Sequence, residues 1–469
     1  MLFNSLHFLL FLPLVIGLYY LITPKYRWVF IFIASCYFYM AFIPEYIFIL
    51  FFIILIDYLL ARVIENAKTK KAKRSYLILS IAANVGLLVF FKYFTFINEN
   101  VISILKPAGV NFKMYHLNVV LPIGLSFHTF QSMSYIIEVY RGNQKAEKHL
   151  GYFANYVLFF PQMVAGPIEK YKNLGNELKN EVRPLYDNFS NGFRLILFGL
   201  FVKMVVADNI APLVNTVYEN PAAFHSAEVW LAVVLFSFQI YADFYGYSTI
   251  ALGAARLLGI HLTDNFKTPY LAISINDFWK RWHISLTSWF REYLYIPLGG
   301  SRGSTAKWVI TILIVFFVSG LWHGASWTFV VWGLLHGCFY LLERLFNKVF
   351  NFKPQTGVTL LNCFLGIKTF LVVSLIWIFF RAESFSKAEL VISSLFNNWS
   401  FSFHGLHYLM PVAFAFILFI SDAMLFRQRI DLWLDNRVEV WRWSFYSIVL
   451  FCIFCLAGVE SLPFIYFQF

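Results

Sequence analysis

Runs of about twenty residues with almost no charge recur from one end of this chain to the other, and a run of that length spans the hydrocarbon core of a bilayer as a single helix. Taken in turn they predict spans at about 5–23, 27–43, 45–62, 75–93, 117–137, 190–212, 227–257, 306–323, 327–343, 362–380, 406–425 and 443–460. The expected fold class is therefore an all-α polytopic membrane protein with about 11–12 transmembrane helices, read as one integral domain over residues 1–469. The first run, residues 5–24, is too long for a signal-peptide core and lacks a basic leader, so it reads as a retained helix.

Composition excludes the soluble alternative. Of 469 residues 60% are hydrophobic and 13% charged, and 37 Lys and Arg with 25 Asp and Glu cannot coat the several soluble domains such a length would hold. The aromatic share of 21% suits rings placed in lipid and at headgroup level. A net charge of +12 raises the question of nucleic acid, but the basic residues fall in short clusters between apolar runs and form no continuous face. No nucleic-acid partner is expected; the bilayer is. The five cysteines lie in or beside apolar runs, and Cys452 and Cys455, although spaced C-x-x-C, have no second ligand pair nearby, so no metal site is expected.

Loop charge sets the expected orientation. Arg62, Lys68, Lys70, Lys71, Lys73 and Arg74 follow the third span and should face the cytoplasm, whereas residues 213–226 lack Lys and Arg and should face outward. Counting spans from there puts both termini on the extracytoplasmic side. Two stretches resist a simple span. Residues 150–168 are apolar but broken by Pro161, Gly166 and Pro167, and residues 259–305 mix charges with rings, so both read as re-entrant or interfacial segments on the cytoplasmic side.

Polar groups at membrane depth are costly, which makes them the places to look for chemistry. His323 stands between two tryptophans, and Gly320, Gly324 and Ala325 clear space beside it for another helix or for a substrate. His283 follows Lys280, Arg281 and Trp282 in an aromatic-rich stretch that also suits simple interfacial anchoring. His336 reads as a core residue satisfied by a hydrogen bond. His128 has Ser126, Thr129 and Gln131 for company, which suits interhelical bonding or a wet tunnel. Asp243 is a carboxylate inside an apolar run, able to organise a tunnel or pair with a cation, and Lys203 and Asp208 should pair or snorkel.

The run NDFWKRWHISLTSWFREYLYIPLGGSR at 276–302, followed by FFVSGLWHGASWTFVVWGLLHG, closely resembles the membrane-bound O-acyltransferase family, in its bacterial alginate O-acetyltransferase-like branch. FKYFTFI at 91–97, LPIGLSFHTFQSMSYIIEVYRG at 121–142, FFPQMVAGPIEK at 159–170, QIYADFYGYSTIALG and the terminal FIYFQF extend the likeness over most of the chain. The resemblance implies helices around a central tunnel or funnel in a bacterial inner membrane. It implies transfer of an acyl group, most simply acetyl, from a cytoplasmic thioester such as acetyl-coenzyme A or an acyl carrier. The acceptor would be a hydroxyl of an extracytoplasmic polysaccharide or of a periplasmic SGNH-type acetyltransferase. His323 matches the family's near-universal histidine and His283 the second histidine of the bacterial branch. Trp322, Trp282, Asn276, Asp243, His128 and Ser126 are the candidates for the substrate tunnel, and no bound cofactor is expected. D-alanyl transfer to teichoic acid is the competing chemistry, and a transporter without chemistry the competing class; the latter predicts inverted repeats that the sequence does not display.

One geometric difficulty stands at this stage. A straight helix from 306 to 323 rises about 25 Å and sets His323 near the outer face, unless the helix starts deeper or kinks at Gly320.

Overall fold

The computed structural model describes residues 1–109, 122–164, 166–352, 357, 359–397, 399–400, 406–458 and 462–467. Every regular element among them is helical, and the chain is a multi-pass membrane protein. Eight helices are long and apolar enough to cross a bilayer: Pro44–Asn66, Lys70–Leu105, Tyr186–Glu219, Ser226–Leu257, Thr305–His323, Trp327–Val349, Leu360–Arg381 and Glu439–Leu456. Leu6–Leu21 and Leu409–Leu425 are apolar but shorter. Two of the twelve expected spans fall outside both groups. Pro24–Met40 has 17 residues and begins with Lys25 and Arg27; Leu125–Arg141 has 17 with a polar buried face, and the start of its expected span, 117–121, lies outside the described residues.

Packing divides the chain into two compact units. The first comprises Met1–Asn188 with Ala255–Leu262. Its centre is a buried carboxylate: Asp57 accepts from Ser80 Oγ at 2.5 Å, Ser132 Oγ at 2.5 Å and Asn84 Nδ2 at 2.9 Å, which ties Ile47–Asn66, Lys70–Leu88 and Leu125–Arg141 together. Neutral donors stand in for water around that charge. Helix Leu150–Leu158 belongs here, and Phe159 and Phe160, in the irregular backbone that follows it, are fully covered.

The second unit comprises Phe189–Ala254 and Thr263–Phe469. Its stretch 263–300 is folded as two short helices, Ile275–Trp279 and Ile284–Phe290, the latter continuing through a π turn at Arg291–Tyr295. Ser274 caps the first by accepting the Asp277 N–H, and Glu343 accepts the Ile275 N–H at 2.8 Å.

Candidate active site

Helices Thr305–His323 and Trp327–Val349 form a tight hairpin, and its closeness rests on two glycines. A Cβ on Gly320 would meet the Phe329 carbonyl oxygen at 2.3 Å, and one on Gly333 the Phe316 carbonyl oxygen at 2.2 Å, so the backbones cross where neither carries a side chain. The space expected beside His323 is thus taken by the partner helix, since the Phe329 ring covers Gly324 as well. The helix runs to His323 as its last residue, and Gly320 serves the crossing. The buried His323 ring meets Trp322 and Trp332 edge-on, both at 4.8 Å between centroids, with Phe380 at 5.3 Å and Tyr466 at 5.7 Å.

His283 sits in a turn that its residue type disfavours. Its φ is +42°, in the left-handed region, which costs a side-chain-bearing residue on the order of 1–3 kcal/mol and persists only where neighbours enforce it. Asn265 is the enforcer: its carbonyl accepts the Ile284 N–H at 3.0 Å, and its Oδ1 accepts the Ser285 hydroxyl at 2.6 Å. Arg281, paired with Asp277 at 2.7 Å, anchors the turn from the other side, its carbonyl accepting the Lys267 N–H. The imidazole is fully buried, edge-on to Phe244 at 4.8 Å and 6.1 Å from Trp322. Burial drags its pKa from 6.5 down to about 3, so the ring is neutral throughout the physiological range.

Both histidines therefore share Trp322 as a ring neighbour, and the rings of Phe244 and Tyr466 close a second route between them at 4.8 Å. Tyr466 was not among the sequence candidates, although it lies in the FIYFQF run that carries part of the resemblance. Its hydroxyl is buried with no hydrogen-bond partner among the described residues. Asp243 holds this segment in place. Its Oδ2 accepts the Ile465 N–H at 2.6 Å, while its Oδ1 pairs with Lys203 at 2.5 Å; Lys203 also reaches Asp208 at 2.7 Å. Of the two uses expected for Asp243, pairing with a cation is the one seen.

The other candidates scatter. Trp282 is buried against Phe278 and Trp377, at 5.5 and 5.2 Å, in the same aromatic body as His323. Asn276 is exposed on its short helix. His128 and Ser126 belong to the first unit, where His128 Nδ1 lies 2.9 Å from the Val157 carbonyl and Thr129 donates to the Ser126 carbonyl. His336 departs from its expected hydrogen bond: neither ring nitrogen has a partner among the described residues, and the ring is stacked on Phe278. Among those residues no group of three His, Cys, Asp or Glu is placed to hold a metal ion. What the site offers is two imidazoles and a phenol within one aromatic body, groups of the kind that transfer protons and donate hydrogen bonds.

The model of the membrane-bound O-acyltransferase family matches residues 143–380, which take in both histidines. The chain belongs to that family. It is 36% identical over 410 residues to the probable alginate O-acetylase AlgI of Pseudomonas aeruginosa, covering 86% of this chain and 76% of that protein. It is 32% identical over 429 residues to the peptidoglycan O-acetyltransferase of Helicobacter pylori, covering 86% and 79%. To the teichoic acid D-alanyltransferase of Bacillus subtilis it is 28% identical over 260 residues, covering 52% and 64%. As a member of this O-acyltransferase family the chain is an enzyme, which removes the transporter reading.

Proposed function

We propose that this O-acyltransferase moves an acetyl group from a cytoplasmic thioester to a hydroxyl of an extracytoplasmic polysaccharide, directly or through a periplasmic SGNH-type partner. The observation that carries the reading is the pair of buried histidines joined through Trp322. His323 takes the proton from the acceptor hydroxyl as that oxygen attacks the thioester carbonyl. The tetrahedral oxyanion accepts hydrogen bonds from the neutral ring of His283 and from the Tyr466 hydroxyl, which has no partner among the described residues. Collapse expels the thiolate, which takes the proton back from His323, so the reaction is proton-neutral overall.

The acetyl assignment is favoured by coverage. The O-acetylating relatives match 86% of the chain, and the D-alanyl relative 52% at lower identity. The cytoplasmic side is assigned from the cluster Arg62 to Arg74 between helices Pro44–Asn66 and Lys70–Leu105. The enzyme would sit in a bacterial inner membrane, with both ends of the chain outward.

Sealed membrane vesicles supplied on the cytoplasmic side with labelled acetyl-coenzyme A, acetylated carrier or D-alanylated carrier test this directly. Label should reach alkali-labile ester on the opposite side from an acetyl donor. Label arriving from the D-alanyl donor alone would establish the teichoic acid chemistry instead.

A further inference from the structure

The first unit holds a cavity of about 160 Å³ that the mechanism does not use, between the start of helix Pro24–Met40, helix Leu150–Leu158 and residues 178–181. Its walls are fixed. Trp28 lies so close on Gly151 that a Cβ there would meet the indole at 2.1 Å, and the Trp28 carbonyl accepts the Asn155 amide at 2.7 Å. Arg27 gives Nε to the Ile22 carbonyl at 3.1 Å and Nη1 to the Val182 carbonyl at 2.5 Å, with its guanidinium over the rings of Tyr19 at 4.8 Å and Tyr20 at 5.5 Å. The charges around this space do not satisfy one another. Lys179 is paired with Glu147, but Lys25, Arg27 and Glu181, which all line the cavity, form no ion pair among the described residues. Asn155 lines it too, and its buried Oδ1 has no hydrogen-bond partner among those residues. A buried acceptor left in this way is uncommon and calls for a partner.

A ligand that completes this set carries a phosphate and a primary ammonium close together. The phosphate takes Lys25 and the anchored fork of Arg27, while the ammonium goes to Glu181 and Asn155 Oδ1; Trp28 and Tyr152 also line the cavity and suit a cation. A metal ion would find one carboxylate among cations, and a phosphate alone would leave Glu181 facing an anion. A nucleotide is too large, since pockets for molecules of that size run to roughly 300–1,000 Å³. The surroundings are those of a bilayer surface. Lys25 and Arg27, with Tyr19, Tyr20 and Trp28, stand at the end of the apolar helix Leu6–Leu21, whose Leu18 and Leu21 are exposed, and basic and aromatic residues gather in this way at headgroup level. We propose that the cavity binds the phosphoethanolamine headgroup of a membrane phospholipid, whose acyl chains lie in the bilayer beside Leu18 and Leu21.

The test titrates the purified, delipidated full chain with phosphatidylethanolamine, phosphatidylglycerol and glycerophosphoethanolamine, and reads bound ligand by native mass spectrometry. Wild type should hold phosphatidylethanolamine about tenfold more tightly than phosphatidylglycerol. Glu181→Gln should erase that preference, and Lys25→Gln should weaken both lipids about tenfold, the loss expected for one charge-assisted contact. Both side chains are exposed, so neither variant should disturb folding. Lys71→Gln, which removes a charge outside the cavity, is the control and should change nothing. Equal wild-type affinity for the two lipids, or a preference that survives Glu181→Gln, would overturn the proposal. So would a loss from Lys71→Gln as large as that from Lys25→Gln, which would mean diffuse attraction to charge. Glycerophosphoethanolamine, the same headgroup without chains, should bind far more weakly; binding as tight as the lipid's would overturn the assignment to a membrane phospholipid.

Discussion

Asp243 holds the backbone of Ile465 by a 2.6 Å hydrogen bond and is itself held by Lys203 at 2.5 Å, and the residue after Ile465 is the tyrosine that packs on His323. A buried ion pair is weak evidence for stability by itself, because desolvation offsets most of the attraction. Here it orients a carboxylate whose second oxygen fixes a segment of the site.

Asp243→Leu should therefore cost more in activity than in folding. Lys203 keeps Asp208, so the charge stays paired, but the Ile465 N–H loses a charge-assisted bond worth about 2 kcal/mol. Turnover should fall about tenfold or more while the thermal midpoint drops by a few degrees; Asp243→Asn, which keeps an acceptor, should recover much of the loss.

Tyr466→Phe removes one hydroxyl and leaves every ring contact. If that hydroxyl donates to the oxyanion, kcat should fall about a hundredfold with little change in donor KM, read by steady-state kinetics on the labelled donor.

Gly320→Ala or Gly333→Ala should force the hairpin apart, because each new Cβ meets a carbonyl oxygen near 2.2–2.3 Å. Overpacking of this kind costs about 1–3 kcal/mol, and His323 lies three residues from Gly320, so activity should fall with the thermal midpoint. Gly366→Ala, where an added Cβ finds nothing within 4 Å, is the control and should be silent.

His283 fixes a pH dependence. Its pKa is about 3 when folded and 6.5 when exposed, so below pH 6.5 the unfolded chain takes a proton that the folded chain refuses. Stability attached to this residue is fully present above pH 6.5 and is lost at about 1.4 kcal/mol per pH unit as the pH falls towards 3. Thermal midpoints at pH 7, 6 and 5 should show wild type losing ground to His283→Gln, which has no proton to take; parallel midpoints would contradict this.

Much of this architecture was legible in the sequence, and the exceptions have physical causes. Long apolar runs such as 227–257 and 306–323 declare themselves, since hydrocarbon demands an unbroken helix. Leu125–Arg141 is less apolar than the other expected spans, because its buried face is built from His128, Gln131, Ser132 and Ser134, which bond inside the first unit, and the start of its expected span lies outside the described residues. His323 and His283 stood out first as polar groups in apolar or aromatic surroundings, and the resemblance then gave each its expected role. The pairing of Asp243 with Lys203, forty residues away, and the return of Tyr466 to the histidines are tertiary facts, with no periodicity to announce them. The glycines beside His323 were read as room for a helix or a substrate, and a one-dimensional pattern cannot tell which side chain fills a gap.

The central claim is that His323 is the base. Purified enzyme given labelled acetyl-coenzyme A and a hydroxyl acceptor, with His323→Ala compared at matched thermal midpoint, tests it most directly. General-base catalysis predicts that ester formation falls about a hundredfold or more in the variant, whereas turnover within about threefold of wild type would contradict the assignment.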